Sequence, residues 1–228
     1  MTMTNDMNPS MFVGTVNFKQ KEFEQILYGC YKVYKSIIQR GTLFKNNENS
    51  ISDGIMVYLA DDSFKNTTFP LGNYHFEPET REGKGRTDIK ILPINPYEGN
   101  DAYYLIECKR LNNKNVVGKT GMNAEYIKNG ICRFITEFYS SYYNCNGMFG
   151  FVVDSMDIDT NISNINTMLN RDFINDKNKI VNAKVIQNLS KINIVENFEF
   201  TYLSKHKTKS NKEITLYHLM FDFSKNIR

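Results

Sequence analysis

Four cysteines and three histidines are all that the 228 residues offer of the side chains that staple small proteins or bind soft metals. Cys30, Cys108, Cys132 and Cys145 are widely spaced and form no CxxC pair. That pattern excludes a conventional zinc site and a dense disulfide framework, and it reads as buried thiols in a reducing compartment. No stretch approaches the ~20 apolar residues of a membrane span, and residues 1–12 lack the basic flank and apolar run of a signal peptide. The expectation is therefore a cytoplasmic protein with no membrane partner. Charge of one sign is also scarce, with a formal net charge of +3. Bulk electrostatics thus permits a polyanionic partner without demanding one. Internal repeats, Pro- or Ser-rich linkers and low-complexity blocks are absent, so nothing marks a domain boundary and one domain over residues 1–228 is expected.

What is present is the material of a packed core, 41% hydrophobic and 13% aromatic. Phe23, Ile26, Leu27, Cys30, Val33, Tyr34, Ile37 and Ile38 recur at helical spacing over Phe18–Gln39, and Gly41 stands where a helix would stop. Short runs rich in Ile, Val, Tyr and Leu then predict a strand meander over Gly54–Ala60, Tyr74–Glu77, Arg86–Ile94 and Ala102–Lys109. The turn-forming cluster Asn95–Asp101 makes the last two runs the arms of an antiparallel hairpin. A second helix is predicted over Asn123–Tyr142, a buried strand over Gly147–Asp154 and a polar helix over Ile162–Asn175. Beyond an ambiguous stretch to Ile194, the alternating runs Phe198–Leu203 and Glu213–Phe223 predict a C-terminal hairpin. Its connector, Ser204–Lys212, is lysine-rich and reads as an exposed basic tip.

The chemistry is concentrated in Gly85-Arg86-Thr87-Asp88-Ile89 and, across the turn, Leu105-Ile106-Glu107-Cys108-Lys109. Glu107 and Lys109, at i and i+2, project from one face of a strand that is otherwise apolar, while Cys108 points to the other. A turn about Tyr97 and Glu98 pairs residues whose numbers sum to roughly 196, and a sum of about 195 or 197 sets Asp88 on the face of Glu107 and Lys109. Two carboxylates would then converge on a space the size of one cation, and a hard divalent ion relieves their repulsion.

These residues, Asp88 and Glu107-Cys108-Lys109, resemble the motif of the PD-(D/E)XK nuclease superfamily. Thr87 stands where the motif's proline would be. The resemblance implies an α/β restriction-endonuclease-like core, a mixed central sheet flanked by helices, over about residues 18–154. It leaves a C-terminal extension with a β-hairpin over about residues 155–228. It also implies Mg²⁺, with Mn²⁺ able to substitute, held by Asp88, Glu107 and the Cys108 carbonyl, with Lys109 positioning the attacking water. Members often carry a further glutamate on the first helix, for which Glu24 or Glu22 is the candidate. The implied activity is hydrolysis of phosphodiester bonds in nucleic acid, DNA above all, of the restriction, defence or repair type. Cutting both strands of a duplex would be simplest for a homodimer.

Lys84, Arg86, Lys128, Lys205, His206 and Lys207 are the candidate nucleic-acid contacts, although turns and solvated faces also explain such charges. Glu125 and Arg133 on the second predicted helix fit either a substrate-facing or a solvated position, and Tyr139, Tyr142 and Tyr143 fit packing better than base stacking. The alternative to catalysis is a nucleic-acid-binding or protein-interaction domain that keeps the fold without turnover.

Overall fold

The computed structural model describes residues 14–94, 102–174, 181 and 183–228. Helix α1 (Gly14–Gln39) buries Phe23, Ile26, Leu27, Cys30, Val33 and Ile37 along one stripe. Gly41, at φ +62°, takes the left-handed conformation that lets the chain leave the helix end. Helix α2 (Glu48–Ala60) starts at Asn47, whose side chain accepts the Ser50 N–H, and Asp61 caps α3 (Asp62–Thr67) in the same way.

Five strands follow: β1 (Tyr74–Pro78), the small hairpin of β2 (Arg81–Glu82) and β3 (Gly85–Arg86), then β4 (Ile89–Pro93) and β5 (Tyr104–Leu111). Helix α4 (Met122–Tyr126) runs through a π-helical turn, Ile127–Ile131, into α5 (Cys132–Ile135). After β6 (Cys145–Val152), α6 (Ile158–Met168) runs on through a π-helical turn, Leu169–Ile174. The chain closes with β7 (Lys184–Lys191), β8 (Thr201–Lys207) and β9 (Glu213–Asp222).

Seven strands form one mixed sheet in the order β1-β4-β5-β6-β9-β8-β7. β4 is antiparallel to both of its neighbours, β5, β6 and β9 run parallel, and β8 and β7 return antiparallel. One face packs on α1 and α2, the other on α4, α5 and α6. The central strand β6 is buried along its whole length, which is why Cys145–Val152 reads as a near-continuous apolar run. All four cysteines are free and buried, as expected. Among the described residues, no helix is long and apolar enough to cross a membrane.

Four expectations need correction. The strand expected over Gly54–Ala60 is the second half of α2. Ile51, Ile55 and Leu59 bury one face at i, i+4 and i+8, and Gly54 is no helix break: a Cβ there would meet the Phe44 ring at 2.3 Å. The helix expected to reach Tyr142 ends at Ile135, because Glu137 turns to φ 57° and the Phe138 and Tyr139 N–H groups fold back onto the Arg133 carbonyl. The C-terminal hairpin exists as β8 and β9, but β9 pairs with β6 and β7 adds a further strand, so these residues continue the central sheet. The basic tip shrinks to the turn Thr208–Lys212, and His206 lies within β8 with no exposed surface, because alternation along the strand turns it inward with Ser204. The Asn95–Asp101 turn and Asn175 lie outside the described residues.

Candidate functional site

β4 and β5 pair Ile89 with Ile106, Lys90 with Leu105 and Ile91 with Tyr104, so the register sum is 195. One step beyond the last pair sets Asp88 opposite Glu107, the arrangement that brings both acids to one site. β4 ends there while β5 runs on to Leu111. The N–H and C=O of Cys108 point toward the side that β4 has vacated and need other partners. Asp88 Oδ2 accepts the N–H at 2.6 Å, and Lys109 Nζ donates to the carbonyl at 2.6 Å.

Lys109 Nζ is the centre of the site. It lies 2.9 Å from Glu107 Oε1, 3.6 Å from Asp88 Oδ2 and 2.8 Å from Glu48 Oε1. Glu48 stands in the first turn of α2, where the helix dipole favours a carboxylate. The loop that presents it is held by Arg110, whose Nη1 donates to the carbonyl and side-chain oxygens of Asn46 at 2.6 and 2.8 Å. Glu107 is fully buried. Its Oε1 also accepts from Arg133 Nη1 at 2.7 Å, and its Oε2 lies 2.8 Å from the Tyr139 hydroxyl. That hydroxyl accepts from Arg133 at 2.6 Å and also faces the Arg86 carbonyl at 2.6 Å. Gly130, in the π-helical turn, allows this helix to approach: a Cβ there would meet Met148 Cε at 2.4 Å and Lys109 Cγ at 3.6 Å.

Three carboxylates thus surround two cations, and the charges do not balance. Burial, then the neighbouring Asp88, pushes the Glu107 carboxyl up to about 7. Burial likewise raises Asp88, although Lys109 and the Cys108 N–H oppose it. For Lys109, burial works against the ammonium, but Glu107, Asp88 and Glu48 outweigh it and hold the charge well above the ordinary lysine range. An extra positive charge is what the cluster lacks.

The donor set fits a hard divalent ion: three carboxylates and one backbone carbonyl, all oxygen. Among the described residues, no group of three His, Cys, Asp or Glu side chains forms a ready cage. The oxygens of this set close around the Lys109 ammonium. A cleft of about 360 Å³ opens onto the cluster, lined by Glu48, Lys109, Arg110, Met122, Glu125, Asn129 and Arg133. A larger cavity of about 620 Å³ lies along Lys191–Glu199, but its lining brings in one acid and one base and no converging carboxylates.

Asp88, Glu107, Lys109 and the Cys108 carbonyl are brought together as expected from the sequence. The glutamate of the first helix is not. Glu22 accepts from the Tyr74 and Tyr104 hydroxyls at 2.7 Å each, and Glu24 from the Tyr217 hydroxyl at 2.7 Å, and the third carboxylate beside Lys109 is Glu48 of α2. Of the expected nucleic-acid contacts, Lys84, Arg86, Lys128 and Lys205 are exposed and Lys207 is half-buried. His206 is excluded by burial: Nε2 bonds to Ser204 Oγ, which bonds in turn to His218.

A scan of protein-family models, a search of curated proteins and a search of solved structures returned no match to this chain. The protein is thus a mixed α/β fold with a seven-stranded sheet flanked by helices, carrying a partly buried charge cluster midway along β5.

Proposed function

We propose that this protein is a Mg²⁺-dependent nuclease with a restriction-endonuclease-like core, hydrolysing phosphodiester bonds in DNA. The observation that carries the reading is the convergence of Asp88, Glu107, Glu48 and the Cys108 carbonyl on one point, occupied by Lys109 Nζ. A structural ion pair needs one acid per base, and a buried charge left unbalanced is costly. A surplus of oxygen ligands at the mouth of a cleft is what a cation site for phosphate chemistry requires. The order helix, three antiparallel strands, helix, parallel strand, found in α1, β1, β4, β5, α4–α5 and β6, supports the same core.

In this reading Asp88, Glu107, Glu48 and the Cys108 carbonyl hold the ion, and the remaining residues orient the reactants. A bound Mg²⁺ supplies Lewis-acid polarisation of the phosphate and a lowered pKa for a water. Lys109, released from the carboxylates, has its ammonium on a flexible stem beside them, free to hydrogen-bond that water or a phosphate oxygen. Tyr139 and Arg133 fix the rotamer of Glu107 through their hydrogen bonds to its two carboxyl oxygens. The test is cleavage of duplex DNA, single-stranded DNA and RNA with Mg²⁺ or EDTA, using wild type, Asp88→Ala and Lys109→Ala. Mg²⁺-dependent cleavage of DNA lost in both variants is the expected result. Equal cleavage in all three proteins, or none with any substrate, would overturn the reading.

A further inference from the structure

The guanidinium of Arg133 is only partly used by the protein. Its hydrogen bonds to Glu107 and Tyr139 both come from Nη1, leaving Nε and Nη2 without a partner among the described residues. The side chain is 31% exposed and lines the cleft beside Lys109, whereas Glu107 beneath it is fully buried. Its guanidinium carbon lies 5.5 and 5.7 Å from the ring centroids of Phe138 and Tyr139, so two adjacent aromatic rings pack beside the guanidinium. A guanidinium serving only to neutralise Glu107 would gain nothing by keeping donors on an open cleft wall, where Glu125 and Asn129 lie close by. A planar fork with one edge anchored and the other presented is the geometry that takes phosphate oxygens.

We infer that Arg133 is a substrate-binding residue: its outward edge takes a non-bridging oxygen of the nucleic-acid phosphate in the cleft, while Nη1 keeps Glu107 in position. The inference rests on the nuclease reading of the cluster, to which it adds a phosphate anchor in the cleft that Glu48 and Lys109 also line. Arg133 therefore couples two tasks, and they separate experimentally. Loss of the Glu107 contact lowers stability and kcat, whereas loss of the phosphate contact raises KM and changes the salt dependence of binding.

The experiment measures binding of fluorescein-labelled duplex DNA over a salt series in Ca²⁺, and KM and kcat in Mg²⁺, for wild type, Arg133→Ala and Arg133→Lys. Arg133→Ala should weaken binding and raise KM on the order of 10- to 100-fold, with the log–log salt slope smaller by about one unit. Arg133→Lys keeps a charge but not the fork, so it should retain the salt slope and recover only part of KM. A wild-type KM in Arg133→Lys, whatever happens to kcat or thermal stability, would overturn the inference, and this variant decides even if Arg133→Ala fails to fold. If wild type cleaves DNA and neither variant changes KM, this inference alone fails. If wild type neither binds nor cleaves, the nuclease reading fails with it.

Discussion

The cluster around Lys109 makes a demand on the pH dependence of folding that can be measured before any substrate is known. Glu107 has an ordinary carboxyl pKa of 4.5 when unfolded, and burial and Asp88 push it up to about 7 in the fold. The folded protein therefore holds this proton more tightly than the unfolded chain. Its contribution is fully present below pH 4.5 and is lost as pH rises through 7. A shift of this size corresponds to about 3 kcal/mol. Hydrogen bonding points the same way. The one hydroxyl proton of Tyr139 faces acceptors on both Arg86 and Glu107, and a proton on Glu107 lets the carboxyl donate to Tyr139 while Tyr139 donates to Arg86. The assay is urea unfolding in EDTA between about pH 6 and pH 8.5, comparing wild type with Glu107→Gln. Wild type should lose stability across this range and the variant should not, and the difference between the two slopes isolates Glu107 from the raised Asp88. Saturating Mg²⁺ should restore wild type at the upper end, because an ion that binds only the folded state stabilises it. A wild-type stability that is flat or rising over the range, and parallel to that of the variant, would refute the unbalanced cluster.

Three further outcomes are expected. Glu48→Gln should lower Mg²⁺-dependent cleavage on the order of 100-fold, as removal of a group that stabilises the reacting charge does, while Glu22→Gln and Glu24→Gln should leave turnover near wild type; cleavage rates for the three variants decide this. Burial pushes His206 down to about 4 and holds His218 well below the ordinary histidine range. A depressed histidine contributes stability above its unfolded pKa of about 6.5 that is lost as pH falls toward the folded value. His206→Phe should therefore show a shallower acid loss than wild type in unfolding between about pH 6.5 and pH 4. Gly83 adopts φ +54°, and a Cβ there would come within 2.5 Å of the Phe138 carbonyl oxygen. Gly83→Ala should cost roughly 1–3 kcal/mol of stability and reduce cleavage, since this hairpin leads directly into Asp88.

The sequence made the central residues legible because strand chemistry has few solutions. Glu107 and Lys109 are two apart on an apolar strand, so they had to share a face, and the turn length confined Asp88 to a narrow register. Glu48 escaped because Gly54 reads as a break, which hid the helix that presents it. The signal that could have found it is Asn47 as a cap followed by Ile51, Ile55 and Leu59 at helical spacing. Arg133 and Tyr139 were visible as residues on the helix after the site, but their reach back to Glu107 depends on the π-helical turn and on a chain reversal at Glu137, neither of which leaves a periodic trace. Glu22 and Glu24 misled because a charge flanking an apolar stripe can reach many partners, and here buried tyrosine hydroxyls claimed both. His206 sat in a run of lysines whose composition pointed outward while the strand period pointed it inward.

A crystal structure of the protein soaked in Mn²⁺, with anomalous diffraction collected to locate the ion, is the most direct test of the central claim. The expected result is a peak within bonding distance of the Asp88, Glu107 and Glu48 carboxylates and the Cys108 carbonyl, with the Lys109 ammonium moved out of their midst. The contradicting result is a site with no peak at saturating Mn²⁺ and Lys109 still enclosed by the three acids.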